Sequence, residues 1–180
     1  MRKIILSLLL VTVVFAQDES SSPWSLYGGI TSGSFEDADG RSTGLSLGVG
    51  YQLNDKLSIG GGLSHRGGKF DDEVSEIDGN VKYEIKGNAL ELWSSYSLMQ
   101  SERFSLSTGL IYAHIYEFEV KMWGASVTVD ESEDDYGIYL GGSIPLKDNL
   151  GLNIGYYHGL KDTDDVPQFN NVWLEIGYSF

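Results

Sequence analysis

Apolar residues alternate with small or polar residues along most of this chain. In residues 42–53 every second position from Leu45 to Leu53 is apolar, and serine, glycine and glutamine fill the positions between them. Successive side chains of a β-strand point to opposite faces, so a two-residue period predicts a strand with one apolar face. No helical period appears after Gln17, and the pattern therefore predicts an all-β fold.

The same alternation recurs eight times, with turn residues between the repeats. The predicted strands are residues 24–34, 42–53, 57–70, 83–98, 104–122, 136–146, 150–160 and 170–180. The fourth strand is irregular, because Tyr83 and Ile85 have the opposite parity to Leu90. A β-bulge near Gly87 and Asn88 would bring its two halves into one register.

The connections between the predicted strands alternate in length. Residues 54–56, 100–103 and 147–149 make short connections, and residues 35–41, 71–80, 123–135 and 161–169 make long ones. Strands joined in this way run up and down, with the short turns on one rim and the long loops on the other. An even number of strands places both termini at the short-turn rim.

The composition of the two faces decides the class of barrel. The second face carries mostly glycine and serine, which suits a narrow lumen. The apolar face is almost free of charge over about ten residues, the length of a tilted transmembrane strand. The sequence thus predicts an eight-stranded antiparallel up-and-down transmembrane β-barrel of the bacterial outer membrane, with periplasmic termini and extracellular long loops. A soluble secreted barrel, with the apolar face turned inward, is the alternative fold.

Aromatic residues near the predicted strand ends are candidates for girdles at the two membrane interfaces. Tyr51, Phe104, Tyr178 and Phe180 are expected near the short-turn rim, and Tyr112, Tyr116, Phe118 and Tyr136 toward the long loops. The ordinary preference of aromatic residues for strands would also explain these positions.

The first 16 residues predict a secretory signal peptide. Two cations, Arg2 and Lys3, precede an apolar run that is too short to span a bilayer as a helix. Cleavage is expected before Gln17. The predicted organisation is a removed signal peptide (1–16), a short N-terminal segment (17–24) and an outer-membrane barrel domain (25–180). The chain has no cysteine, which excludes disulfides and a lipidated cysteine.

The charge balance is strongly acidic, with 26 acidic and 12 basic residues and a net charge of −14. This sign excludes a nucleic-acid-binding surface. More than half of the acidic residues lie in the predicted long loops: Glu36, Asp37, Asp39, Asp71, Asp72, Glu73, Glu76, Asp78, Asp130, Glu131, Glu133, Asp134, Asp135, Asp162, Asp164 and Asp165. Such carboxylates could share divalent cations with lipopolysaccharide, although solvated, mutually repelling loops are the simpler interpretation. Outer-membrane lipid and lipopolysaccharide are the expected partners, and no extracellular partner can be named.

Few charges are expected inside the barrel. By strand parity the inward charged residues are Arg66, Glu91, Glu117, Glu119, Lys121 and Glu175. A charge in a narrow lumen must be paired or hydrated. Because Arg66 and Glu91 lie on neighbouring predicted strands, we expect an ion pair that plugs the lumen. A lumen wet enough that neither residue needs the other is the alternative.

The sequence contains no recognisable catalytic or metal site. His65, His114 and His158 all have lipid-facing parity, so they are not expected to form the rim Ser and His pair of lipid A-modifying barrel enzymes. No phosphate loop, nucleophile elbow or metalloprotease helix is present. We therefore expect no enzymatic activity, no cofactor and no bound metal.

The last nine residues read VWLEIGYSF, with apolar or aromatic residues at alternate positions before a terminal phenylalanine. From Ser25 onward the chain resembles the small bacterial outer-membrane β-barrel proteins of the OmpA/OmpX type, and its ending resembles the C-terminal assembly signal of that family. The resemblance implies that the barrel-assembly machinery recognises Leu174, Ile176, Tyr178 and Phe180.

These observations predict a non-catalytic integral outer-membrane barrel with a structural role, or with a surface-interaction role carried by its acidic extracellular loops. Two alternatives remain open. A narrow pore or small-ligand transporter would need a continuous wet lumen. A lipid A-modifying enzyme would need a Ser and His pair that converges at the rim despite strand parity.

Overall fold

Nine β-strands lie within residues 22–35, 39–74, 79–122, 125–129, 132–147, 149–160 and 169–180, which the computed structural model describes. They are β1 (Trp24–Phe35), β2 (Asp39–Gln52), β3 (Leu57–Val74), β4 (Gly79–Gln100), β5 (Ser105–Met122), β6 (Ala125–Val129), β7 (Glu133–Lys147), β8 (Leu150–Gly159) and β9 (Phe169–Ser179). The predicted signal peptide lies outside these residues. No helix in this part of the chain is long and apolar enough to cross a membrane.

Eight of the strands close into an antiparallel barrel. Each strand from β1 to β5 pairs with the next along the chain, β5 pairs with β7, and β7, β8 and β9 continue the series. Pairing of β9 with β1 completes the ring. The predicted eight-stranded up-and-down barrel is confirmed, and the short β6 is additional because it pairs only with the end of β5.

The two faces of the strands have the predicted character. Large apolar side chains are exposed on the outside, with Leu45 62%, Leu110 60% and Ile30 56% accessible. Buried side chains such as Tyr139 and Tyr157 have the opposite parity and point into the lumen. A soluble fold would not leave so many large apolar side chains in contact with water, so the apolar face is the lipid-facing one.

The short connections are held by local hydrogen bonds. The Asn54 side-chain oxygen accepts hydrogen bonds from the backbone N–H groups of Lys56 and Leu57, at 2.9 and 3.0 Å. At the next short turn the Ser101 hydroxyl donates to the Phe104 carbonyl at 2.7 Å. Asparagine and serine favour turns because their side chains can replace backbone partners in this way. These turns define the short-turn rim of the barrel.

On the opposite rim, called here the long-loop rim, the strands run further than the sequence predicts. Residues 71–74 were predicted as loop, but they pair with residues 79–82 and lengthen the β3–β4 hairpin. In the same way, β6 lies within the predicted 123–135 loop and pairs with residues 118–122. The prediction of loops for these residues was wrong. Apolar and polar residues alternate only where one face of a strand is apolar, and a hairpin that extends beyond the membrane needs no apolar face.

A β-bulge lies close to the predicted position but on the neighbouring strand. Asn88 pairs with Glu117 and Ala89 pairs with Ile115, so Tyr116 is the extra residue and β5 carries the bulge. Strand β4 itself pairs with β3 without interruption. Tyr83 and Ile85 therefore lie on the same face of β4 as the lumen-facing Glu91, and no bulge in β4 moves them to the outer face.

The bulge also corrects the predicted orientation of the end of β5. Glu119 and Lys121 pair with Lys86 and Glu84, which are on the outward parity of β4, and Glu117 pairs with the outward Asn88. The prediction that Glu117, Glu119 and Lys121 face the lumen was wrong, because one extra residue reverses the parity of every residue after it.

Aromatic rings collect at the short-turn rim. The rings of Trp24 and Tyr51 are 4.8 Å apart, and those of Tyr178 and Phe180 are 5.3 Å apart, both in edge-to-face contact. Toward the other rim, Tyr116 and Tyr136 are exposed on the outside. The side chain of Phe118 lies outside the described set. The role of these aromatic residues as interfacial girdles stays a prediction.

Candidate functional site

Aromatic side chains project into the lumen and lie against glycines of neighbouring strands. The ring centroids of Tyr27 and Trp93 are 5.5 Å apart, and those of Tyr139 and Trp173 are also 5.5 Å apart. A side chain at Gly60 would overlap the Trp93 ring. Small inward residues thus leave room for a few large ones, as expected for a lumen of eight strands.

Arg66 on β3 and Glu91 on β4 come together inside the barrel. A guanidinium nitrogen of Arg66 forms an ion pair with a carboxylate oxygen of Glu91. Ser64 donates a second hydrogen bond to the same oxygen at 2.6 Å. The two charged side chains are 23% and 17% exposed, so most of their surface is removed from water. Charge-assisted bonds in such a setting fix both side chains in one arrangement.

Two further carboxylates reach the lumen. Ser46 donates a hydrogen bond to Glu175 at 2.9 Å, and Tyr157 donates one to Asp135 at 2.9 Å. A cavity of about 380 Å³ runs between the short-turn rim and the Arg66–Glu91 level, and its wall includes both Glu175 and Asp135. The inner wall is therefore acidic as well as aromatic, and the cavity could hold water or small polar solutes.

The three histidines lie on the outside of the barrel, each beside a polar partner on the next strand. The Nδ1 atom of His65 is 2.8 Å from the Asn88 side-chain oxygen. The corresponding distances are 2.7 Å from His114 to Asp134 and 2.8 Å from His158 to Asn170. None of these partners is a serine, so the described residues give the lipid A-modifying enzyme no support. They also include no group of three or more His, Asp or Glu residues arranged for a metal ion.

Beyond the bulge, the outward face of β3, β4 and β5 is charged. The Lys86 amine is 3.0 Å from a Glu84 oxygen, and the Lys121 amine is 3.7 Å from Glu119. The hydrogen bond from Lys86 lowers the pKa of Glu84, and Glu84 raises the pKa of Lys86. The hydrogen bond from Ser126 on β6 lowers the pKa of Glu119. These groups form a network of favourable charge interactions on the outer wall, beyond the part of the strands that carries the exposed apolar side chains.

The residues of the C-terminal ending occupy β9 and the position after it. Leu174 and Ile176 are exposed on the lipid-facing side, 41% and 54% respectively. The Phe180 N–H donates to the Trp24 carbonyl at 3.1 Å, so the end of the chain is bound to the beginning of β1. Within the closed barrel β9 has neighbours on both sides, and its edge is open only before closure. Recognition by an assembly machinery stays a prediction.

Most of the acidic loop side chains lie outside the described residues. Glu133, Asp134 and Asp135 are the exceptions, and the structure places them on β7 rather than in a loop. Sequence reasoning missed that Asp135 turns into the lumen, although its parity with Tyr139 was a signal that could have revealed it. It also missed the Ser46–Glu175 contact, because that contact joins strands far apart in the sequence.

The comparisons with known proteins agree with this architecture. Residues 4–180 match the family described as the outer membrane protein beta-barrel domain. A search of curated proteins found no match.

Solved structures of outer-membrane barrels resemble most of the chain. Neisserial surface protein A (NspA) has a TM-score of 0.64 at 14% identity, covering 90% of this chain and 100% of its own. The attachment invasion locus protein Ail of Yersinia pestis has a TM-score of 0.56 at 17% identity, covering 88% and 99%. OprG from Pseudomonas aeruginosa has a TM-score of 0.57 at 15% identity, covering 89% and 97%. At this level of identity the likeness concerns the fold.

Proposed function

This chain belongs to the outer membrane protein beta-barrel domain family, and we propose that it serves the bacterial outer membrane as a non-catalytic barrel with a structural or surface-interaction role. The observation that carries the proposal is the filled lumen. The rings of Trp93 and Trp173 lie in its interior, the Arg66–Glu91 ion pair joins β3 and β4 there, and a cavity of about 380 Å³ lies between that pair and the short-turn rim. With the interior occupied, the chemically available surfaces are the lipid-facing wall and the hairpins of the long-loop rim.

The proposal includes an orientation. Short turns and both ends of the barrel domain lie on one rim, which we place in the periplasm. The extended β3–β4 hairpin and the acidic loops would then face the outside of the cell, as long loops do in outer-membrane barrels. The acidic loops are the surface that would meet an extracellular partner.

Membrane location and state of folding are tested by electrophoresis of the outer-membrane fraction in SDS, with and without heating. We expect a membrane-fraction band whose apparent size changes on heating, because detergent-resistant barrels stay folded until boiled. A soluble band without such a shift would contradict the proposal.

Orientation is tested in the same cells with an impermeant thiol label, since the natural chain has no cysteine. Glu131→Cys should be labelled on intact cells and Ser101→Cys should not.

A narrow pore is the second candidate, and the cavity of about 380 Å³ favours it. Planar-bilayer recording separates the two functions. The proposal expects the purified barrel to show no steady single-channel conductance. A steady conductance in the wild-type protein, unaffected by loss of the ion pair, would support the pore and overturn the filled-lumen interpretation.

A further inference from the structure

The cavity on the short-turn side of the lumen carries an excess of negative charge. Two cations and four carboxylates line it: Lys56, Arg66, Asp55, Glu91, Asp135 and Glu175. Asp55 and Lys56 belong to the short turn between β2 and β3, and their opposite charges balance at the rim. Deeper in the cavity, three carboxylates share a single arginine. In an enclosed space this excess is costly unless a further cation or water compensates it.

Glu175 has no cation beside it in the part of the chain that the structure describes. Its side chain crosses Gly29 on β1, where a Cβ atom would overlap it, and accepts a hydrogen bond from the neutral Ser46 hydroxyl on β2. Glu91, on the opposite side of the barrel, repels it electrostatically. Because a carboxylate has room for several donors, Glu175 can accept a cationic group in addition to Ser46.

Aromatic rings line the same cavity. They form two close pairs, Tyr27 with Trp93 and Tyr139 with Trp173. Tyr27 lies near enough to Glu175 and Tyr139 to interact with both electrostatically, so the rings and the carboxylate belong to one site. The face of a tryptophan or tyrosine ring attracts a cation, most strongly where water is excluded. A carboxylate among such rings therefore favours an organic cation.

The size and lining of the cavity narrow the class of ligand. Its volume of about 380 Å³ is near the lower end of small-molecule sites, which span about 300–1,000 Å³. The excess of carboxylates disfavours an anion. A hard metal ion prefers a shell of oxygen ligands, and the described residues contain no group of three or more acidic or histidine side chains arranged for one. Serine hydroxyls of the lining, among them Ser95 and Ser107, can accept hydrogen bonds from an ammonium group.

We propose that this cavity binds a small primary ammonium ion on a compact apolar frame. The ammonium group donates hydrogen bonds to the Glu175 carboxylate and compensates its charge. The rings of Tyr27 and of Trp173, which lies two residues earlier on the same face of β9, cover the apolar frame and attract the charge. The ligand enters from the short-turn rim, where residues of the turn after β2 line the cavity. This site lies inside the barrel and is separate from the outer surfaces invoked above.

The test compares cyclohexylammonium with cyclohexanol, a neutral molecule of nearly the same shape. Each is titrated at neutral pH into the purified, isotope-labelled barrel in detergent, and the indole N–H signals of Trp93 and Trp173 are followed by NMR. The wild-type protein should bind cyclohexylammonium about tenfold more tightly, because an enclosed cation–π contact is worth more than an exposed one. Both rims are accessible in detergent, so the result is independent of the orientation proposed above. Equal affinities, or no change at either indole, would overturn the proposal, and this comparison requires no variant.

The variant Glu175→Gln should bind cyclohexylammonium about tenfold more weakly and cyclohexanol as before, since it loses a hydrogen bond to a charged group but keeps an oxygen for Ser46. The matched control Glu102→Gln removes the same charge from the short turn after β4, outside the cavity lining, and should bind both molecules like the wild-type protein. Equal losses in the two variants would indicate a general charge effect and would contradict the site.

Competition with an inorganic cation provides a second test. Cyclohexylammonium should remain bound in the presence of an equal concentration of potassium ion, because potassium has no apolar frame to lie against the rings. Its displacement by potassium would overturn the proposal, since the cavity would then hold any monovalent cation. A steady conductance of the wild-type barrel would contradict the filled-lumen interpretation but not this site, so the two proposals fail separately.

Discussion

At the scale of single residues, the interior of the barrel depends on glycines that make room for large aromatic side chains of the neighbouring strands. Gly60 lies under the Trp93 ring, and Gly155 lies under the Trp173 ring. A Cβ atom at either glycine would overlap both the ring and a backbone oxygen of the adjacent strand. Interiors packed this closely respond to the addition of even one methyl group.

Gly60→Ala should therefore reduce the free energy of unfolding by about 1–3 kcal/mol, because the Trp93 ring must move within a filled lumen. The measurement is urea unfolding of the purified barrel in detergent, followed by tryptophan fluorescence. Gly142→Ala is the matched control, since a Cβ atom there meets only a carbonyl oxygen at 3.4 Å. Equal effects of the two substitutions would show that Trp93 does not depend on the space above Gly60.

Arg66→Ala should also destabilise the barrel, by about 2 kcal/mol, because it leaves the Glu91 carboxylate enclosed without its cation. The double variant Arg66→Ala/Glu91→Ala should recover part of this loss, since neither charge then remains unpaired. Unfolding and single-channel conductance are measured on the same samples. If Arg66→Ala altered neither quantity, the hypothesis that the ion pair plugs the lumen would be rejected.

At the scale of elements, the decisive feature is the bulge at Tyr116. It separates a lipid-facing segment of β5, ending near His114, from a segment in which Glu117, Glu119 and Lys121 lie outward. Before the bulge the outward positions must be apolar to meet lipid, and after it they can carry charge because the hairpin extends into water. One inserted residue thus changes the chemistry of the outer wall within a single strand.

The outward position of Glu119 can be tested with a charge exchange. Lys86→Glu should destabilise the extended hairpin, because Lys86 pairs directly with Glu119 and like charges at that spacing repel each other. Adding Glu119→Lys should restore the stability, since the opposite charges face each other again. Limited proteolysis of the hairpin provides the measurement. Failure of Glu119→Lys to rescue Lys86→Glu would place Glu119 away from Lys86 and contradict the bulge.

At the scale of the whole molecule, the barrel exists only once β9 has paired with β1. Without this pairing β1 and β9 would each have only one neighbouring barrel strand, and in the closed barrel the hydrogen bond from Phe180 to Trp24 joins the two ends of the domain. An unclosed barrel would expose two edges of unpaired backbone groups in the membrane, which is costly. Closure is therefore the step at which an assembly factor would act on the last strand.

Phe180→Ala should lower the amount of folded barrel in the outer membrane of cells while leaving refolding of the purified protein into detergent nearly unchanged. The reason is that Phe180 lies directly after the last strand and would be recognised by the assembly machinery before the barrel closes. Leu160→Ala, at an exposed position directly after β8, is the control. The amounts are compared by immunoblot of unheated and heated membranes. A similar decrease for Leu160→Ala would show that the effect does not belong to the assembly signal.

The sequence by itself determined the strands, their two faces and the alternation of short and long connections. It could do so because a strand that faces lipid must be apolar at every second residue across the membrane. This pattern can be recognised within each segment of sequence, without knowing its neighbours. Leu45 and Leu110 were assigned to the outer face, and Trp93 to the lumen, from parity alone.

Only the tertiary structure decided which residues meet across strands. The extra residue at Tyr116, the contact of Tyr157 with Asp135 and the contact of Ser46 with Glu175 all depend on register. Parity specifies a face but not a neighbour, because sliding one strand by two residues preserves every face and changes every contact. The physical origin of the strands is therefore local, whereas contacts such as that of Ser46 on β2 with Glu175 on β9 arise only when the barrel closes in one register.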